Sequence, residues 1–422
     1  MDVAPTVDGE EIESETVEVE SGETKDVEFT VTKEEAGNYT VSVHGRTTIL
    51  EVTAEALEEL LIGHSPLFTR DEFFRTLVRA TQYYCQAHEG ISQNWMNPHN
   101  TSAQQIKDMK YMIQQGVDGI IASPISASAC ASVVDTAYSQ NIPTVTYNTD
   151  APTKNVAATV MVNNETLGAA AAEALIEKMK KAGVELEGTA VIDGGDKTWP
   201  QAQARTRGFE KVFEEYPGLE IVKYWNEGWD MKKAKDKMTQ YLIAHGKPLI
   251  AVGVNNTTNS GVIEALRAQD ALVPRSQPNE HVWTAFIGLN SVVQEAMKNG
   301  YAEISSNQPN LIYGTLALYL VERCIRNGPT PLADPGDVPE PGDTVIADPS
   351  KPIGEIEEGT WNLALPKPTV LSGVDIAKQK WTPCPVVEKD GHPWIVTEPL
   401  VVEWDKAYTA PVYVNLAPKW LE

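Results

Sequence analysis

Four side-chain amides fall immediately after stretches that read as β-strands: Asn148 after 143–147, Asn255 after 249–254, Asn290 after 284–289 and Asn307 after 304–306. Thr149 and Asn256 stand beside two of them. An amide offers both a donor and an acceptor, which suits hydroxyl groups. One amide after a strand satisfies a turn. Four after four strands would ring a crevice, because ligands of open parallel sheets lie outside the strand carboxyl ends. Phe73, Phe74 and Trp229 add rings able to stack on the apolar face of a sugar. Catalytic patterns are missing: there is no Gly-x-Gly-x-x-Gly opening a helix, no Walker loop, no Gly-x-Ser-x-Gly and no His-Glu-x-x-His. Gly194-Gly195-Asp196 follows a strand but lacks the third glycine of a dinucleotide site. The seven histidines pair with no cysteine or serine in a recognisable order. Binding without catalysis, cofactor or metal is the expectation. Cys85, Cys130, Cys324 and Cys384 show no metal-ligand spacing. The first three fall in helical patterns and read as buried thiols, with one disulfide among the four as the alternative.

The elements that must position these residues alternate regularly. Strand patterns at 117–122, 143–147, 188–193, 219–222, 249–253 and 284–288 are interleaved with helical patterns at 102–115, 129–140, 166–181, 205–216, 231–245, 260–268 and 292–299. Such alternation means parallel sheets covered on both faces. The units outnumber one sheet of five or six strands, so the α/β part is expected as two doubly wound lobes joined by a hinge. Residues 57–152 and 311–340 form the first lobe, and 153–310 the second. Crossings are expected near 150–152, near 307–310, and within the Pro-, Gly- and acid-rich stretch 328–368, read as a long surface loop.

Residues 1–56 read as a small all-β module, with strands at 16–20, 27–31, 39–43 and 47–52. Ser21-Gly22-Glu23-Thr24 and Gly37-Asn38-Tyr39-Thr40-Val41 resemble the second half of immunoglobulin-like adhesion modules of prokaryotic surface proteins. A whole sandwich of that kind needs about seven strands, and four would leave an apolar face uncovered. Residues 341–422 offer further strands at 394–396, 400–404 and 411–415. They either complete the N-terminal module, within one chain or between chains, or pack on the large domain. Strand donation between chains would build a head-to-tail polymer, giving a surface filament protein as the alternative function.

The formal charge of −25 opposes binding to nucleic acid or to anionic membranes. The glutamates at 10, 11, 13, 15, 18 and 20 read as a solvated strand face. No apolar run approaches the roughly 18 residues of a membrane helix. The start of the sequence has no basic, then apolar, leader: either the protein is cytoplasmic or the numbering begins after a removed export segment, and the two-lobed architecture favours the second, an extracytoplasmic protein. Asn-x-Ser/Thr triplets at Asn38, Asn100, Asn164, Asn255 and Asn256 give that only slight support.

Residues 60–330 resemble the periplasmic sugar-binding proteins of ABC importers, ribose-binding type. The resemblance rests on Gln114-Gln115-Gly116-Val117-Asp118-Gly119-Ile120-Ile121 with Ser123-Pro124, and on Asn141-Ile142-Pro143 before the next strand. Arg205 with Gly208-Phe209, Trp229-Asp230 with Ala234, and Gly300 followed by Gln308-Pro309 and Gly314 extend it. It implies ligand contacts from Asp71, Phe73, Phe74, Asn148, Thr149, Gln203 or Arg205, Trp229, Asn255, Asn290 and Asn307. It also implies lobes that close on a sugar-like ligand and present it to an ABC permease or receptor. Where the family commonly has Asp-Arg this chain has Asn148-Thr149, and Asn290 and Asn307 stand where Asp and Gln are common. Those changes remove charge-assisted hydrogen bonds to hydroxyls; amides can still bind a neutral polyol or nucleoside-like ligand, more weakly, and they also fit a pocket that has lost its ligand.

Overall fold

The computed structural model describes residues 2–11, 15–16, 18, 20–21, 23–25, 27, 29, 37–44, 46–52, 58–69, 71–96, 101–226, 228–327 and 337–417. The chain divides into Met1–Glu58 and Glu59–Glu422. The first unit holds β1 (Asp2–Val3), β2 (Thr6–Val7), β3 (Glu10–Glu11), β4 (Glu15–Thr16), β5 (Gly37–Val43) and β6 (Arg46–Val52). β1 pairs with β4, and an antiparallel sheet runs β3-β2-β5-β6. Two expected strands coincide with β5 and β6, whose hairpin bends at His44 with φ of 48°. The immunoglobulin-like sandwich is not confirmed. Glu18, Glu20, Val27 and Phe29 lie in no strand, and Val17, Val19, Glu28, Thr30 and Val31, with the turn residues Gly22 and Ala36, fall outside the described residues.

In the second unit, β7 (Leu60–Ser65), α1 (Glu72–Ala87), β8 (Ile91–Trp95), α2 (Ser102–Gln114), β9 (Gly119–Ala122), α3 (Ala127–Ser139), β10 (Thr144–Tyr147) and β11 (Ala158–Val162) form the first lobe. Its parallel sheet is ordered β8-β7-β9-β10-β11. Next come α4 (Asn164–Lys181), β12 (Gly188–Asp193), α5 (Pro200–Phe213), β13 (Leu219–Tyr224), α6 (Met231–His245), β14 (Ile250–Gly253), α7 (Asn256–Ala268), β15 (Trp283–Ile287), α8 (Ser291–Lys298) and β16 (Ile304–Asn307). They repeat the winding as β13-β12-β14-β15-β16. Every residue of β9, β10, β14 and β15 is buried, as helices on both faces of a parallel sheet require. α4 begins at Asn163, whose side chain accepts from the Glu165 and Thr166 amides, and buries Leu167, Ala171, Leu175 and Met179 along one stripe. α4 meets α5 at Gly168 and Gly208. A Cβ at the first would fall on the Arg205 carbonyl oxygen, and one at the second on the Glu165 carbonyl oxygen.

α9 (Asn310–Asn327) returns to pack on α1, β9, β10 and β11. Beyond it lie β17 (Thr344–Ile346), β18 (Gly354–Glu357), β19 (Thr360–Asn362), β20 (Val370–Leu371), β21 (Val374–Asp375), β22 (Cys384–Lys389), β23 (His392–Thr397) and β24 (Leu400–Glu403). The stretch read as a surface loop therefore contains strands. The Asn362 amide ties it together by donating to the carbonyls of Asp348, Lys351 and Pro352, while residues 328–336 fall outside the described residues. β23 lies parallel to β11, and β22, β17, β19 and β18 extend the first-lobe sheet to ten strands. β24 adds antiparallel to β16 in the second lobe. The strands that could have completed an N-terminal sandwich, or passed to another chain, thus pair inside this α/β unit. Residues 411–415 are not a strand; they lead into the single turn α10 (Tyr413–Leu416).

The chain crosses between lobes three times. The first crossing lies at Val162–Asn163 rather than at 150–152, because β11 belongs to the first sheet. The second follows Asn307, as expected, and the third joins β23 to β24 rather than lying in 328–368. Tyr313 pins all three: it sits on α9, its hydroxyl accepts from the Val162 amide (2.9 Å), and it lies 3.4 Å from Thr397 Oγ1. All four cysteines are free thiols, and burial pushes Cys130 and Cys384 up to about 12. Among the described residues no helix is long and apolar enough to cross a membrane.

Candidate functional site

The carboxyl ends of both sheets and the start of α1 meet around a cavity of about 60 Å³. Of the residues expected at the site, Asp71, Phe73, Phe74, Asn148, Arg205, Trp229, Asn255 and Asn307 line it. A larger recess of about 810 Å³ adjoins it, sharing Asn148, Trp199 and Gln201.

Asn148 and Trp229 hold left-handed backbones, with φ of 61° and 50°. That conformation is strained for a tryptophan, and such strain gathers at ligand clamps. The Asn148 backbone N–H donates to the Val160 carbonyl (2.9 Å), while its side-chain amide has no hydrogen-bond partner among the described residues. Asn255 caps α7: its Oδ1 accepts from Thr258 N (2.8 Å) and Thr257 Oγ1 (3.0 Å), which leaves its Nδ2 without a partner among the described residues. Asn307 is fully engaged, its Oδ1 accepting from Leu289 N (2.7 Å) and its Nδ2 donating to the Ser305 and Leu400 carbonyls, so it binds the second crossing to β24. Trp229 packs edge-on against Trp199, with centroids 5.9 Å apart.

Arg205 is the charged centre of the cavity. Its Nε donates to Asn164 Oδ1 (2.8 Å) and its guanidinium to the Val254 carbonyl (3.0 Å). Among the described residues no carboxylate forms an ion pair with it. Burial lowers it to about 10, so it stays charged at neutral pH. A buried cation held by neutral acceptors leaves donor capacity for ligand oxygens.

Three expected residues face elsewhere. Thr149 turns its hydroxyl to the Pro124 carbonyl (2.8 Å) and Ser123 Oγ (3.1 Å), and borders only the larger recess. Asn290 caps α8 through Val293 N (2.9 Å) and donates to Asn256 O and Ser260 Oγ. Gln203 is exposed and donates to the Lys197 carbonyl (2.8 Å). Because α5 begins at Pro200, residues 201 and 205 share its inner face and 203 does not. Gln201, Trp199, Asn256, Gln308 and Tyr413 line the cavity without having been singled out, except that Asn256 stood beside a chosen amide. The helical spacing of Gln201 from Arg205 was the one signal that could have found it. Asn164 and Asn256 are buried, so their Asn-x-Thr triplets are not glycan acceptors.

Asp193, at the end of β12, is buried, its Oδ1 accepting from Gly195 N (3.0 Å) and Asn226 Nδ2 (2.6 Å). Burial pushes this carboxyl up to about 7 against the opposing pull of those bonds. A folded-state value above the unfolded one gives stability that is complete below about pH 4 and lost as pH rises through about 7. Asp193→Asn should therefore unfold at a higher temperature than the parent at pH 8 and lose most of that advantage at pH 5, in melting curves recorded at both values.

Two hinged parallel-sheet lobes whose strand ends share one polar, ring-lined cleft define a two-lobed binding protein. Residues 62–329 match the periplasmic binding protein domain, and the chain belongs to that family. Its relatives are solute-binding components of transport rather than enzymes. It is 26% identical over 220 residues to the ribose import binding protein of Bacillus subtilis, covering 51% of this chain and 69% of that one. It is 24% identical over 229 residues to the xylitol-binding protein of Mycolicibacterium smegmatis, covering 53% and 63%. Solved structures share the fold. An ABC transporter solute-binding protein from Bacillus halodurans with bound myo-inositol superposes with a TM-score of 0.57 at 22% identity, over 66% of this chain and 92% of that one. A sugar ABC transport substrate-binding protein from Bordetella parapertussis gives 0.61 at 14% identity, over 86% and 95%.

Proposed function

We propose that this chain works outside the cytoplasm as a solute-binding protein that closes on a small neutral polar ligand, a sugar, polyol or nucleoside-like molecule. It then presents that ligand to an ABC permease or receptor. The observation carrying this reading is the cavity itself, where the Asn148 side-chain amide, the Asn255 Nδ2 and the Arg205 guanidinium, held by neutral acceptors, lie among aromatic rings. The names of the ribose- and xylitol-binding relatives support the same ligand class. At about 60 Å³ the cavity is smaller than the roughly 300–1,000 Å³ of small-molecule sites, so ligand entry requires the lobes to part about their three crossings. Glu72, at the start of α1, accepts from Ser291 N (3.1 Å) and Ser291 Oγ (2.6 Å) at the start of α8, which holds the lobes together. Ligand contacts spanning both lobes would stabilise the closed arrangement, the form a permease distinguishes.

Melting curves with D-ribose, xylitol, myo-inositol and D-arabinose test the reading. A ligand at one hundred times its Kd stabilises by about 2.7 kcal/mol and should raise Tm by several degrees. A Tm unmoved by every polyol, sugar and nucleoside tried would sink it. Arg205→Met should weaken the best binder roughly 10- to 100-fold, the effect of losing a hydrogen bond from a charged donor, measured by calorimetric titration.

A further inference from the structure

The cavity is completed by a segment outside the family match. After β24 the chain forms a short 3-10 turn (Trp404–Lys406) and then a strap whose Ala407, Ala410, Val412, Val414 and Ala417 are buried. The strap is fixed to α8. Gln294 Nε2 donates to the Ala407 carbonyl (3.0 Å) and to Asn415 Oδ1 (2.6 Å), and Asn415 Nδ2 donates to the carbonyls of Ala407 and Ala410, both at 2.9 Å. Arg275 lies 4.3 Å above the Trp404 ring. From this support Tyr413 enters the cavity, 2% exposed, its ring edge-on to Phe73 with centroids 6.3 Å apart. Its hydroxyl lies 3.0 Å from Asn256 Nδ2.

That contact leaves capacity over. With Nδ2 donating to the phenol oxygen, neither the phenol proton nor the buried Asn256 Oδ1 has a partner among the described residues. With the amide turned round, the phenol donates to Oδ1 and Nδ2 is left over instead. In either orientation a buried polar atom is unmatched, and such atoms are rare in folded proteins. A hydroxyl group is the ligand chemistry that donates and accepts at one atom. We propose that Tyr413 and Asn256 form a hydroxyl-recognising pair that makes the C-terminal strap part of the ligand site and selects for a ligand hydroxyl at the Phe73 end of the cleft. This rests on the proposed function above. Because the strap is anchored on α8, Tyr413 belongs to the second lobe, and its contact with Phe73 on α1 bridges the two.

The test uses the full chain and Tyr413→Phe, which keeps the ring and removes one hydroxyl. Calorimetry with D-ribose, xylitol, myo-inositol and D-arabinose identifies the best binder, followed by its monodeoxy analogues. Tyr413→Phe is expected to weaken the parent ligand roughly 3- to 10-fold and to leave one deoxy analogue unaffected, with an unliganded Tm close to that of the parent. Undiminished affinity for the parent ligand overturns the proposal, and so does an equal loss for every analogue. Failure of the unaltered protein to bind any sugar, polyol or nucleoside tried overturns the proposed function as well.

Discussion

A chain ending at Pro383 is expected to show no cooperative unfolding transition. The cut removes β22 and β23 from the first-lobe sheet and β24 from the second. It takes away the pairing of Thr159–Val162 with Trp394–Thr397 and exposes the edge of β11. Cys384, Val386, Trp394, Ile395, Val402, Val412, Tyr413 and Val414 are all buried. At about 1.5–3 kcal/mol for each large apolar side chain, an upper bound given a compact unfolded state, their loss is of the same size as the 5–15 kcal/mol that holds a typical domain together. Circular dichroism during urea titration would show this as a broad, shallow change, with aggregation on sizing columns. A sharp transition from the shortened chain would mean that the added strands only decorate a self-sufficient pair of lobes.

Gly168→Ala is the point substitution expected to cost most, about 3 kcal/mol or more. A methyl there meets the Arg205 carbonyl oxygen, which is helix backbone and cannot turn aside, so α4 and α5 must separate. Overpacking of this kind costs about 1–3 kcal/mol where side chains can yield, and more where only backbone faces backbone. The same shift draws Arg205 away from Asn164 and Val254, so ligand affinity should fall by roughly tenfold or more, as when a charge-assisted hydrogen bond is lost. Urea denaturation should give a lower midpoint with an unchanged slope. Gly208→Ala presses the Glu165 carbonyl from the other side of the same crossing and should behave alike. An unaltered midpoint in both variants would show that the helices have room to slide.

The α/β architecture was legible because buried parallel strands such as Gly119–Ala122 are apolar throughout and sit between amphipathic helices. Position after a strand was enough to find Asn148 and Asn255 at the cavity. It was not enough for Asn290: like Asn255 it caps a helix, but its Nδ2 is also taken up, by the Asn256 carbonyl and Ser260 Oγ. Thr149 was lost to the carbonyl of the neighbouring strand end. The partners of β22, β23 and β24 were illegible for another reason. Their alternation specifies a strand with one protected face but carries no information on which edge receives it. Val412-Tyr413-Val414 shows the same ambiguity, reading as extended chain where the fold makes a turn that delivers a phenol to a distant amide.

The threading of the third crossing bears on how the protein is made. β23 and β24 come after every other strand of the two lobes in the sequence, yet each closes the edge of a different lobe. Until they emerge from the ribosome, β11 and β16 both present open hydrogen-bonding edges, the kind that captures neighbouring chains. Domains commonly mature in the order of translation, but here neither half can finish early. Maturation of both lobes should therefore wait for synthesis of β23 and β24, and a chaperone able to shield two unfinished sheets would raise the yield.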